Sequence, residues 1–118
     1  MEKLCKIRDL QHGIMVFEQQ FVQRYGICLN EGMVLCSLMQ SETGTLTSGE
    51  LSSLLGLSHS NTSKVVASAE KKGLVSRCLG DHDKRKMLFS LSSKGTELIQ
   101  SIHCDNIPLP DVLRDKIH

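Results

Sequence analysis

The stretch from Leu54 to Leu91, L-L-G-L-S-H-S-N-T-S-K-V-V-A-S-A-E-K-K-G-L-V-S-R-C-L-G-D-H-D-K-R-K-M-L-F-S-L, decides the fold. Gly56 closes a helix, Leu57 fills the corner, and a serine-rich start at Ser58 or Ser60 opens the next helix, which runs to Lys72. Val65, Val66 and Ala69 make its inner line, with Thr62 one turn earlier, and Gly73 supplies the positive φ that ends it. Leu74 to Leu79 and Lys86 to Leu91 then read as two strands. Val75, Arg77 and Leu79 alternate with Ser76, Cys78 and Gly80; Met87, Phe89 and Leu91 alternate with Leu88 and Ser90, the pattern of a ribbon with one face covered. The charged tip G-D-H-D-K-R-K joins them. A helix of small polar groups followed by a basic hairpin is shaped for a DNA duplex, the helix for the major groove and the hairpin for the backbone beside it.

The outer face of that helix offers His59, Ser60, Asn61, Ser63, Lys64 and Ser68, side chains short enough for close approach. Asn61 can pair an adenine edge through two hydrogen bonds. The N–H groups of Ser60 and Asn61 can hold a phosphate. Capping explains serines at the helix start equally well, but not Ser63, Lys64 and Ser68 further on. At the tip, Arg85 is placed to enter a minor groove or clamp a phosphate with Asp83 holding it in pose, and Lys84 and Lys86 flank it. Between Ser58 and Met87, Lys64, Lys71, Lys72, Arg77, Lys84, Arg85 and Lys86 face only Glu70, Asp81 and Asp83, a local charge of +4 where the whole chain carries +1. Charge concentrated in this way is the footprint of a phosphate-binding surface or, more plainly, a solvated lysine-rich face.

Upstream, Thr47 and Glu50 form the capping-box pattern T-x-x-E, with Leu46 and Leu51 placed as a hydrophobic staple. Leu51, Leu54 and Leu55 are expected to be that helix's buried face, and Thr47 is included among the residues expected to face DNA. Asn30 reads as the cap of an earlier helix whose Met33, Val34, Leu35, Cys36, Leu38 and Met39 surround it, as in a central helix; Cys36 is expected to be packed. Ser41 to Gly44 is a polar loop. From Leu4 to about Tyr25, Leu4, Ile7, Leu10, Ile14, Phe17 and Phe21 form one stripe, widened by Met15, Val16 and Val22, and Gly26 stops the helix. So broad an apolar surface calls for a partner helix from a second copy of the chain. Ser92 caps a fifth helix from about Ser93 to His103. Pro108 and Pro110 interrupt the tail, where Asp111 caps a short turn carrying Val112, Leu113 and Ile117, folded onto the first helix or reserved for a second chain.

At 118 residues, 40% hydrophobic and 23% charged, the chain is a folded single domain with a largely aliphatic core, since it holds only three Phe and one Tyr. The five cysteines, Cys5, Cys28, Cys36, Cys78 and Cys104, are odd in number and lack metal-binding spacing, which reads as reduced thiols in a cytoplasm. No apolar run reaches membrane-spanning length. The five histidines are scattered, no H-E-x-x-H or glycine-rich phosphate loop occurs, and no metal, cofactor or catalytic site is implied. Asp81, His82 and Asp83 read as a solvated tip.

Leu57, Ser58, Ser60, Thr62, Lys64, Val65, Val66, Glu70, Lys71, Lys72, Gly73, Leu74 and Val75, followed by Asp83, Lys84, Arg85, Leu91, Ser92 and Gly95, fill two motifs of one family. From about Leu29 to Ile99 the chain resembles the MarR family of winged helix-turn-helix transcription regulators. Gly80 replaces a frequent aspartate, Lys84 an arginine, Ser92 a threonine and Ala69 a leucine, and the last region is short where relatives carry a long helix. The resemblance implies a mostly α fold with a small β-hairpin wing (α+β), a winged helix-turn-helix lobe at 29–91, and terminal helices at 1–25 and 93–118 in a homodimer interface built on Leu4, Ile7, Leu10, Ile14, Phe17, Phe21, Val112, Leu113 and Ile117. It implies that Arg85 is the wing arginine and Asp83 its support, and that double-stranded DNA is the partner. Members often take a small aromatic ligand, and some sense peroxide through a first-helix cysteine, here Cys5. A redox-switched regulator and a winged helix used for protein contact are the alternatives.

Overall fold

A computed structural model describes residues 2–80, 86–102, 109 and 111–114. The wing tip with Asp83, Lys84 and Arg85 lies outside them, as do Cys104, Ile117 and the side chains of Val112 and Leu113. The chain forms two compact units, residues 1–29 with 102–118, and residues 30–101.

In the first unit, α1 (Glu2–Tyr25) ends as expected at Gly26, whose φ of 74° lets its N–H reach back to the Val22 carbonyl at 2.8 Å. The expected stripe divides along its length. Phe17 and Phe21 are buried, with ring centroids 6.2 Å apart, and Phe21 meets Tyr25 at 5.0 Å, whereas Leu4, Ile7, Ile14, Met15 and Val22 are exposed and Leu10 half-buried. The short α6 (Asp111–Arg114), the turn expected at Asp111, lies against α1. Asn30 is not the cap of the next helix. That helix, α2 (Leu29–Gln40), starts one residue earlier, and the N–H of Leu29 donates to the Glu18 carboxylate at 2.9 Å.

The second unit runs from α2 through β1 (Thr45–Thr47), α3 (Ser48–Leu55), α4 (His59–Lys71), β2 (Val75–Leu79) and β3 (Met87–Leu91) to α5 (Ser93–Ser101). Helices α2, α3 and α4 and the β2–β3 hairpin, packed around one core, make a winged helix-turn-helix. Val34, Leu35, Leu38, Leu51, Val66, Ala69, Leu74, Val75 and Phe89 are buried and form this core. Aliphatic side chains of this size each contribute about 1.5–3 kcal/mol when removed from water. Contrary to expectation, α2 is not apolar-packed all round: Met33, Cys36 and Met39 share an exposed face, and Cys36 is not packed.

The capping box of α3 is present in full. Glu50 N–H donates to Thr47 Oγ1 at 3.1 Å and Thr47 N–H to the Glu50 carboxylate at 3.0 Å, while Leu46 and Leu51, the staple pair, are both buried. The rest of the face differs from the reading. Leu54 is 63% exposed and Leu55 half-buried; Ser52 takes the inner position, because its hydroxyl has partners on α4.

The hairpin forms where alternation placed it, and β1 joins it as a third, unexpected strand. The antiparallel order is β1-β3-β2, with Leu46 opposite Phe89 and Arg77 opposite Phe89 on the other side. Only Val75 of β2 is buried. Arg77 and Leu79, which share the face of Val75 by alternation, are exposed. Gly80 N–H donates to the Lys86 carbonyl at 2.9 Å and closes the base of the wing.

Ser92 caps α5, as expected. Its hydroxyl accepts the Gly95 N–H at 3.0 Å and donates to the Gly73 carbonyl at 2.6 Å, tying α5 to the turn after α4. This helix belongs with the winged lobe and not with the terminal region to which the resemblance assigned residues from 93 onward.

Candidate nucleic-acid interface

Helix α4 is set by its two ends. Ser58 is the N-cap, its hydroxyl accepting the Asn61 N–H at 3.1 Å, and Lys72 with Gly73, φ 76°, turns the chain out of the helix. The tight turn from α3 is made by Gly56, φ 68°, whose N–H returns to Ser52 at 2.9 Å. The inner line is Thr62, Val66 and Ala69, all buried. The outer face then presents His59, Ser60, Asn61, Ser63 and Lys64, all exposed.

Two clamps hold this helix from behind. At its first turn, Ser52 Oγ donates to Thr62 Oγ1 at 2.9 Å, Thr62 Oγ1 donates to the Ser58 carbonyl at 2.9 Å, and Ser52 Oγ lies 3.3 Å from His59 Nδ1. At its last turns, Glu31 of α2, only 2% exposed, accepts hydrogen bonds from Ser68 Oγ and Lys72 Nζ, both at 2.8 Å. A buried carboxylate is tolerated only with such partners. Beside them, Arg77 of β2 donates to both carboxylate oxygens of Glu70 and lies 5.6 Å over the Phe89 ring. This fork holds the Glu70 carboxyl below its ordinary pKa and raises that of Arg77.

A sequence profile of the MarR family matches residues 25–86, a little over half of the chain. The chain belongs to the MarR family. It is 26% identical over 102 residues to the transcriptional repressor MprA of Escherichia coli K12, a match covering 86% of this chain and 57% of that one. It is 32% identical over 83 residues to the Escherichia coli HTH-type transcriptional regulator PrsX, covering 70% and 50%. The chain thus spans about half the length of these curated relatives. A MarR family transcriptional regulator from Streptomyces coelicolor, solved in complex with DNA, superimposes with a TM-score of 0.75 at 26% identity, covering 80% of this chain and 59% of that one. The family is one of regulators, not of enzymes.

Within this MarR-family lobe, the residues of α3, α4 and their caps that were expected to face DNA do not stay together. His59, Ser60, Asn61, Ser63 and Lys64 come together on one exposed face, with Ser58 at its edge as the cap. Thr62 does not: it is fully buried, because its hydroxyl is the centre of the first clamp. Ser68 is half-buried and bonded to Glu31, so it belongs to the second clamp and not to the outer face. Thr47 spends its hydroxyl on the capping box. The Asn61 N–H, one of the two expected to meet a phosphate, is taken by the Ser58 hydroxyl. The +4 footprint also shrinks by one, since Lys72 pairs with Glu31, an acid outside the counted stretch, while Arg77 pairs with Glu70, which the count already included; among the described residues Lys64, Lys71 and Lys86 make no ion pair. Glu31 and Ser52 were missed. A lone acid early in an apolar helix, and a serine at i, i+4 from a cap-side residue, were the available signals.

No described helix is long and apolar enough to cross a membrane. Among the described residues no cluster of His, Cys, Asp or Glu could hold a metal ion.

Proposed function

We propose that this chain is a sequence-specific DNA-binding transcription regulator that acts as a homodimer, with α4 in the major groove and the wing residues Asp83, Lys84, Arg85 and Lys86 at the flanking minor groove. The observation that carries this reading is the outer face of α4: five exposed polar or basic side chains on a helix whose other side is buried and clamped. The likeness to a regulator solved on DNA supports it. Dimerisation is supported by the apolar side chains that α1 leaves exposed, Leu4, Ile7, Ile14, Met15 and Val22.

A dimer of this kind sets two recognition helices about 34–36 Å apart, one turn of the duplex. Selection of genomic fragments bound by the purified chain tests the proposal. Enriched inverted repeats with half-sites centred about 10 base pairs apart are expected, with affinity falling steeply as salt rises. Absence of enrichment, or binding indifferent to salt, refutes it. A redox switch at Cys5 gains no particular support, because Cys36 and Cys78 are exposed too.

A further inference from the structure

We infer that His59 reads the duplex through Nε2 as a hydrogen-bond acceptor, because a relay of buried hydroxyls behind the helix fixes its proton on Nδ1. The inference rests on the DNA-binding reading above and names the chemistry of one contact within it. The direction of the relay is set at its far end. Thr62 Oγ1 lies 2.9 Å from the Ser58 carbonyl, which has no proton to give, so Thr62 must be the donor there. A hydroxyl carries one proton, so the 2.9 Å contact between Ser52 and Thr62 is made with the Ser52 proton. Ser52 Oγ then has only lone pairs left for His59 Nδ1 at 3.3 Å, and the ring nitrogen must donate. Ser52 and Thr62 are 7% and 0% exposed, which keeps water from supplying other protons.

In the neutral ring, a proton on Nδ1 leaves a lone pair on Nε2. His59 is the first residue of α4 and is exposed, so this acceptor stands on a surface otherwise rich in donors: Lys64 Nζ, the serine hydroxyls and the helix N–H groups. In the major groove the complementary groups are the exocyclic amines, adenine N6 and cytosine N4, and not the N7 and O6 acceptors of guanine. His59 is therefore a specificity-determining residue for an amine edge, with Ser52 and Thr62 as positioning residues behind it.

Two measurements on the full chain test this. Long-range 1H–15N spectra, recorded where the ring signals are those of the neutral imidazole, are expected to show His59 protonated at Nδ1 and bare at Nε2. The opposite tautomer overturns the inference. Ser52→Ala should abolish the preference; its persistence shows that the relay is not the cause. On a selected DNA site, replacing single adenines or cytosines by analogues that lack the exocyclic amine should weaken wild-type binding about tenfold at one half-site position. The His59→Ala chain should not feel that replacement. A His59-dependent loss with 7-deazaguanine instead, which removes an acceptor, refutes the acceptor role. A chain that selects no DNA fails the regulator reading, and with it the role of Nε2, while the spectrum still reports the tautomer, so the two failures are distinguished.

Discussion

Gly95 gives the sharpest test of how the winged lobe is held together, because two physical arguments predict opposite signs for Gly95→Ala. It sits in the first turn of α5, where helix propensity alone favours alanine by about 1 kcal/mol. Packing opposes this. A Cβ built at Gly95 would lie 2.1 Å from the Leu74 carbonyl oxygen and 3.0 Å from its carbon, and real Cβ atoms essentially never come within 3.0 Å of such a neighbour. Relief therefore needs a displacement of about 0.9 Å (3.0 − 2.1), and the obstacle is backbone, not a side chain that can swing away. That displacement must part α5 from the Gly73–Leu74 turn. Ser92 makes two bonds across this seam, its N–H to the Leu74 carbonyl at 3.0 Å and its Oγ to the Gly73 carbonyl at 2.6 Å, while Lys94 Nζ reaches the Lys72 carbonyl at 3.0 Å on a side chain long enough to follow the shift. Stretched by that amount the two Ser92 bonds are broken or nearly so. At about 0.5–1.5 kcal/mol for each lost bond and about 1–3 kcal/mol for strained packing, less the propensity gain, the net loss is about 1–5 kcal/mol. Urea denaturation of both chains measures it. Ser92→Ala should cost only about 1 kcal/mol, and the double variant less than the sum, since both act on the same cap. A stabilised Gly95→Ala chain would refute the reasoning outright.

Three further outcomes are expected. Glu31→Gln removes the charge that Lys72 and Ser68 share and should weaken DNA binding several-fold by loosening α4, with little change in the number of phosphates contacted; a steeper salt slope would instead mean that the freed Lys72 reaches a phosphate. Lys64→Ala should lower the slope of log affinity against log salt by about 0.9 per protomer and weaken specific and random DNA alike, whereas Asn61→Ala should cost about 1–3 kcal/mol on the selected site and less on random DNA; equal losses for Asn61 would show that it only positions the helix. The Thr47 N–H and hydroxyl hold the Glu50 carboxyl below the usual carboxylate range, and the Arg77 guanidinium does the same for Glu70, so each adds stability that is complete above about pH 4.5 and is lost as pH falls through the lowered folded values. Denaturation midpoints should therefore decline on acidification below that point, less so in Glu50→Gln and Glu70→Gln, and unchanged acid slopes in both would count against the assignment.

What could be read in the sequence was what is local. The Thr47–Glu50 box, the Ser58 and Ser92 caps, and the helix ends at Gly26, Gly56 and Gly73 each lie within a few residues of the groups they satisfy, and the structure has all of them. Strand alternation likewise placed β2 and β3 to within a residue. β1 escaped because three residues carry no period, and its identity as a strand comes from pairing with β3. The buried role of Glu31 escaped for the same reason: its partner Lys72 is 41 residues away, and charge counted along a window cannot see an acid outside it. Thr62 was legible in two ways, as an inner-line residue by period and as a polar residue on a polar helix. Burial of its hydroxyl with two partners decides for the first.

The two clamps change how the basic surface should be understood. Lys72 and Arg77 look like phosphate ligands when only charge is counted, yet each already holds an acid, Glu31 and Glu70, and to bind phosphate each would have to give up a charge-assisted bond. Their contribution lies instead in rigidity. Helix α4 is fixed at its start through Ser52 and Thr62 and at its end through Ser68 and Lys72, so little helix ordering remains to be done at the moment of binding. Ordering costs of about 0.5–1.5 kcal/mol per mobile side chain are avoided wherever the fold has already met them. On the proposed reading, a recognition surface with few free cations among the described residues and a pre-set helix would gain its selectivity from geometry more than from net charge. This is consistent with a whole-chain charge of only +1.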